Sequence, residues 1–270
     1  MQNPWFTPFL FAFFAFLIGH GASSAVAEAQ DCGLREPCSL DGGRSYYARL
    51  PDHWDGKSSL PVLLHFHGWG RQGKLIVNHR RIAGATRSRG VLLLAPNGEN
   101  RSWDFWTSDT DDVEFALRVL RDAAKKWPID KSRIYVSGYS YGSAMAWRFA
   151  CAEGHRLKGL LAVSGTIPDQ QERCQSALEV RHVHGTSDNV MDYPFGPDGD
   201  VKGAVELWRH HNGCSVEPQK LDVWKAVRIL PFTRHIWTNC ISGKKVILDV
   251  HSRGHFIPRK WIAHQLDELL

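Results

Sequence analysis

Ser140 lies between two glycines in Gly138-Tyr139-Ser140-Tyr141-Gly142, directly after the β-forming run Ile134-Tyr135-Val136 and before a stretch rich in small residues. This is the G-x-S-x-G pattern of a nucleophile elbow, in which a tight strand-to-helix turn lifts a serine hydroxyl clear of the backbone. A plain strand-to-helix turn would carry the same glycines, so partners decide the matter. A serine hydroxyl is a poor nucleophile at neutral pH. It needs a base within hydrogen-bond reach and an acid to orient that base. In elbow enzymes these follow along the chain as acid, then histidine.

Asp188 fits the acid. It closes Val183-His184-Gly185-Thr186-Ser187-Asp188, a strand running into a polar turn. Asp192 is its neighbouring rival, and a turn-capping aspartate is the bland reading of either. His255 fits the base, in a glycine-containing loop after the last predicted strand. His251, inside that strand's run, suits a core or surface role. The oxyanion of an acyl transfer needs backbone donors. The N–H of Tyr141 is one, and that of Trp69, in the loop His65-Phe66-His67-Gly68-Trp69-Gly70, is the other. His67 reads as a structural histidine under that loop. Trp103 and Trp106, flanking Phe105, could wall an acyl or aryl pocket, as could Tyr139 beside the nucleophile. The chemistry needs no metal and no organic cofactor, and no Cys-x-x-Cys or zinc-ligand spacing occurs.

These residues require strands that end together on one side of a sheet. β-Forming runs at 45–50, 61–67, 91–95, 133–137, 159–163, 178–184 and 245–251 alternate with amphipathic stretches. The runs near 62, 92 and 160 are continuously apolar, as expected of strands buried on both faces. Helices are predicted over 112–127, where Pro128 stops an apolar stripe, over 141–152 and over 259–270. This order predicts an open α/β fold: a mainly parallel, doubly wound sheet with helices on both faces and its chemistry at the carboxyl ends of the strands.

The chain has 270 residues and a formal charge of +5 that is spread rather than concentrated, so no nucleic-acid signature is present. Phe9–Ile18 is an apolar run too short to span a bilayer. With Ala25-Val26-Ala27 after it, it reads as a secretory signal cleaved near Ala27, with Ala29 as a second option. Residues 28–270 then form a single catalytic domain, secreted or periplasmic, with no stable membrane insertion. Oligomeric state is not readable. Six cysteines in an exported chain predict disulfides. Six cysteines allow about 15 pairings, and the preferred one joins neighbours in order through short local loops: Cys32–Cys38, Cys151–Cys174 and Cys214–Cys240.

His67-Gly68, Asn97-Gly98, Asp111-Asp112-Val113, the serine elbow, His184-Gly185-Thr186-x-Asp188, Asn212-Gly213-Cys214 and Gly254-His255 occur in an order that resembles the secreted polyhydroxybutyrate depolymerase and feruloyl esterase group of α/β-hydrolases. The resemblance covers residues 31–270. It implies a serine esterase with Ser140, Asp188 and His255 as its triad, acting on hydroxyalkanoate, short-chain or aryl carboxylic esters, and it supports the same local cysteine pairing. Where the group often has Thr-Trp-Pro-Gly after its histidine, this chain has Phe256-Ile257-Pro258. Alternatives are a feruloyl or acetyl-xylan specificity, a peptidase or acyltransferase on the same fold, or a non-catalytic binding protein on a hydrolase scaffold.

Overall fold

The computed structural model describes residues 32–107, 109–167, 174–191 and 201–270. The expected signal segment 1–27 and the rival Asp192 lie outside the described residues. Ten strands form one sheet in the order β1-β2-β4-β3-β5-β6-β7-β10-β9-β8. They are β1 (Cys38–Ser39), β2 (Ser45–Arg49), β3 (Leu60–Phe66), β4 (Leu92–Pro96), β5 (Ile129–Tyr139), β6 (Gly159–Val163), β7 (Glu179–Gly185), β8 (Lys220–Val227), β9 (Leu230–Trp237) and β10 (Val246–His251).

The six central strands, β4-β3-β5-β6-β7-β10, run parallel, and antiparallel strands close both edges. The continuous apolar runs become strands covered on both faces. Every residue of β3, β4 and β6 is buried, because helices pack on either side. One core lies under α3 (Asp111–Lys126), α4 (Tyr141–Glu153) and α5 (Val201–His211). The other lies under α1 (Gly73–Asn78), α2 (Ala83–Arg87) and α6 (Trp261–Leu269).

α3 shows how the local sequence sets these elements. The Thr110 hydroxyl caps it by accepting from the Asp112 N–H, and acidic side chains fill the first turn and lysines the last, as the helix dipole favours. Phe115, Ala116, Val119, Leu120 and Ala123 form its buried stripe. All seven predicted strands are present within a few residues of their expected bounds, β5 extending furthest. The three predicted helices are present as well.

The β8–β9 hairpin, β1, α1, α2 and α5 were not predicted. α1 and α2 span only 6 and 5 residues, too short for an apolar stripe to repeat. The hairpin lies at the sheet edge, where Leu221 and Val223 face solvent and mixed exposure blurs the alternation. The three disulfides join Cys32–Cys38, Cys151–Cys174 and Cys214–Cys240.

Asp249 holds the hairpin, β10 and α6 together. It is fully buried and accepts from Arg234 through two nitrogens at 2.7 and 2.8 Å, from the Trp224 indole at 2.9 Å and from the Trp261 indole at 2.7 Å. Removing one partner of a buried ion pair leaves the other charge uncompensated, at a cost of about 3–5 kcal/mol. Asp249→Ala is therefore expected to lower the unfolding free energy by about that amount, read by urea denaturation. Asp249→Asn, which keeps an acceptor, should lose less.

Candidate active site

Ser140, Asp188 and His255 each follow a parallel strand: β5, β7 and β10. β10 pairs directly with β7, His251 opposite Gly185, and β7 is separated from β5 only by β6. Three positions remote in the chain therefore emerge on one edge of the sheet.

The turn that carries Ser140 is strained. Its backbone sits at φ 57°, ψ −124°, a region that side-chain-bearing residues rarely occupy and that surrounding structure must hold in place. Two glycines make the turn possible. A Cβ on Gly138 would lie 1.9 Å from the Gly142 carbonyl oxygen, and a Cβ on Gly142 would lie 2.1 Å from the Phe66 oxygen. The Ser140 N–H donates to Val163 O at 3.0 Å, fastening the turn to β6, and the Ser143 N–H donates to Ser140 O at 2.8 Å. Gly142→Ala must push helix α4 away from β3. Purified variant protein is expected to show both a lowered Tm and loss of any activity that depends on the turn, whereas Ala144→Gly, two residues further into the helix, should shift Tm without that second loss.

Asp188 receives His255. Its Oδ2 lies 2.7 Å from Nδ1 of the ring, and its Oδ1 accepts from the N–H groups of Val190 at 3.0 Å and Met191 at 2.8 Å. Burial alone would raise the carboxyl pKa. Hydrogen bonds from His184, His255, Met191 and Val190 outweigh it and hold the group well below the usual carboxylate range. An ionised Asp188 accepts only, so Nδ1 of His255 is the donating nitrogen and Nε2 is the one left free to exchange a proton with substrate or nucleophile. Among the described residues neither Nε2 of His255 nor the Ser140 hydroxyl has a hydrogen-bond partner. Ser140 is 8% exposed. The two are linked through Tyr139, whose ring lies over the His255 ring at 4.9 Å and whose hydroxyl donates to His255 O at 3.1 Å.

His251, the competing histidine, is 2% exposed; its Nδ1 accepts from the Arg253 N–H, and its ring packs on Phe232 and Phe256. It is a core residue beneath the loop. His67 is also fully buried. Its Nε2 accepts from the Gly98 N–H at 2.9 Å and its Nδ1 donates to Gly68 O at 2.9 Å, which ties the loop after β3 to the loop after β4. Burial pushes its pKa down to about 4, consistent with a neutral ring that accepts through one nitrogen.

That loop presents Trp69. Its N–H makes no backbone hydrogen bond among the described residues, while Gly70 and Arg71 donate to Arg101 O and Gly68 O. Tyr141, first residue of α4, likewise carries one of the unpaired leading N–H groups of a helix. The open side of Gly68 faces the elbow, for a Cβ there would sit 3.7 Å from that of Ser140.

The aromatic expectations divide. Trp103 is 3% exposed, its indole donates to His67 O at 2.7 Å, and its ring meets Phe66 edge-on. It braces the loop from within the core and does not wall an open pocket, a correction to its expected role. Trp106 is 58% exposed and tilts against Phe105 at 4.7 Å; Phe105 in turn meets the ring of Tyr141 at 5.1 Å.

Two residues went unread in the sequence. His184 places Nε2 3.3 Å from Asp188 Oδ2 and 2.7 Å from Met191 O; its spacing of four from Asp188 was the available signal. Arg148, buried on α4, donates to Phe105 O at 3.0 Å and so holds the aromatic segment. Nothing in a lone arginine within a helix announces that role.

A family model described as Phospholipase/Carboxylesterase matches residues 107–200, which include the elbow and Asp188. A probable feruloyl esterase C of Aspergillus clavatus is 26% identical over 71% of this chain and 72% of its own. Feruloyl esterase D of Neurospora crassa is 22% identical over 87% and 84%. Among solved structures, an acetyl xylan esterase from Aspergillus awamori superposes with a TM-score of 0.67 at 14% identity, covering 83% of this chain and 94% of its own. With the sheet order above, the chain has the α/β-hydrolase fold and is a carboxylic ester hydrolase whose sequence is similar to those of the feruloyl esterases.

Proposed function

We propose that the protein is an exported serine esterase with Ser140 as nucleophile, His255 as general base and acid, and Asp188 as the orienting carboxylate. One observation carries the reading. A serine held at φ 57° by two sterically required glycines shares its sheet edge with an aspartate–histidine pair at 2.7 Å. Nε2 of His255 takes the hydroxyl proton as Ser140 Oγ bonds to the ester carbonyl carbon. The N–H groups of Trp69 and Tyr141 receive the oxyanion, each such donor being worth about 2.7–4 kcal/mol in related chemistry. Collapse of the tetrahedral intermediate expels the alcohol with the proton from Nε2. Water, deprotonated by the same nitrogen, then releases the acid and restores the hydroxyl.

The feruloyl and acetyl xylan esterase relatives support an acyl group carried on polysaccharide, and the exposed Trp106 beside Phe105 and Tyr141 supports an aryl acid. Three disulfides in the described residues support an oxidising compartment. A fluorophosphonate probe is expected to label a single serine, in the peptide that contains Ser140. Labelling elsewhere, or none, defeats the assignment. Turnover across ethyl ferulate, acetylated xylan, short aliphatic esters and hydroxybutyrate oligomers ranks the substrates, with the aryl ester expected first.

A further inference from the structure

A cleft of about 990 Å³ opens between α2, α6 and the β8–β9 hairpin. Six basic side chains line it, those of Arg80, Arg81, Arg89, Lys225, Arg259 and Lys260, against one carboxylate, Asp267. That carboxylate is already spent: it takes two hydrogen bonds from Arg89, at 2.7 Å each. Arg80, Lys225, Arg259 and Lys260 make no ion pair among the described residues, and all four are exposed. Like charges gathered in a concavity repel one another and raise the local potential, which favours an anion.

One of these cations also has an unusual backbone. Lys260 sits at φ 64°, ψ 0°, a left-handed conformation in which a long side chain is strained and glycine or asparagine would rest easily. Lys260 is one of the residues that line the cleft. One cleft residue reaches the loop that carries the candidate base: Arg81 donates to Ile257 O, two residues beyond His255.

We propose that this cleft binds the carboxylate groups of an acidic, uronate-bearing polysaccharide and so holds the polymer that carries the ester. The choice of a polysaccharide rests on the esterase reading above; the choice of an anion does not. Gly84, Ala85 and Ala263 are also among the lining residues, and their small side chains leave room for a sugar ring. Single-stranded nucleic acid stacks its bases on aromatic faces, but the aromatic Trp224 of this cleft is engaged with Phe232 at 4.6 Å and His264 at 4.0 Å. A bilayer is flat, and a concave surface receives a chain better than a plane.

The test is direct binding, which needs no turnover. A fluorescently labelled oligogalacturonate is titrated with the full chain and followed by anisotropy. Its fully methyl-esterified counterpart, single-stranded DNA and phosphatidylserine vesicles are titrated in parallel. The acidic oligomer is expected to bind, to weaken as salt screens the site, and to lose at least about tenfold in affinity in Arg80→Glu/Lys225→Glu. Turnover of p-nitrophenyl acetate by that variant is expected to match the parent. Equal binding of the esterified oligomer, tighter binding of DNA or vesicles, or unchanged affinity in the variant would each overturn the proposal. Loss of p-nitrophenyl acetate turnover in the parent protein would strike the esterase reading instead.

Discussion

Ser140→Ala is expected to lower kcat on p-nitrophenyl acetate by on the order of 10⁴–10⁶ while leaving Tm nearly unchanged. The hydroxyl makes no hydrogen bond among the described residues, so its removal deletes one reactive atom without orphaning a partner. The alanine methyl occupies the space of the existing Cβ, and the strained backbone is retained because the neighbouring glycines impose it. His255→Ala should fall into the same range, and the double variant should lose little more, because nucleophile and base act as one unit. Asp188→Ala should cost less in rate than either, yet more in stability than Ser140→Ala, since it strands the N–H groups of Val190 and Met191 and removes the carboxylate beside two imidazoles. A Ser140→Ala protein that kept its turnover would show that another group does the chemistry.

How far the sequence revealed this arrangement follows from where each signal originates. Ser140 was legible because its constraint marks the residue types around it: a Cβ on Gly138 would strike the backbone of Gly142 and Ser143, and one on Gly142 the backbone of Phe66 and His67. Asp188 and His255 were legible only jointly, through order along the chain and position after predicted strands, and the parallel pairing of β7 with β10 brings them to hydrogen-bond distance. Trp103 misled because a tryptophan near a catalytic loop reads as a wall, while its indole is buried as a donor to His67 O. The roles of His184 and Arg148 went unassigned because they depend on what tertiary packing sets against each side chain. The cleft was hidden for the same reason, its cations coming from segments around residues 80, 225 and 260 that look like ordinary charged surface when read singly.

Acidification should unfold this protein well before its carboxylates titrate. His65 and His67 are fully buried and His251 is 2% exposed. Burial, reinforced at His65 by His79 and His67 and at His251 by His184, lowers their pKa values to about 3, about 4 and about 4. His182, buried beside His184, is lowered as well. In the unfolded chain each ring titrates near the ordinary 6.5. Between pH 6.5 and about 4 the unfolded state therefore binds more protons than the folded one, and stability must fall as pH falls through that window. At pH 5 each ring held near pKa 4 contributes a loss on the order of 2 kcal/mol relative to pH 7. Asp188 acts in the same direction at lower pH, because its depressed pKa stabilises the fold above the ordinary carboxylate range and that contribution is lost on further acidification. Urea midpoints measured from pH 7.5 to 5 should thus decline steadily, with about half of these three rings' contribution lost by pH 5. His251→Gln, which cannot be protonated, should flatten the slope while lowering stability at neutral pH. A midpoint constant down to pH 5 would mean that these rings are protonated in the fold, which is incompatible with His67 accepting the Gly98 N–H.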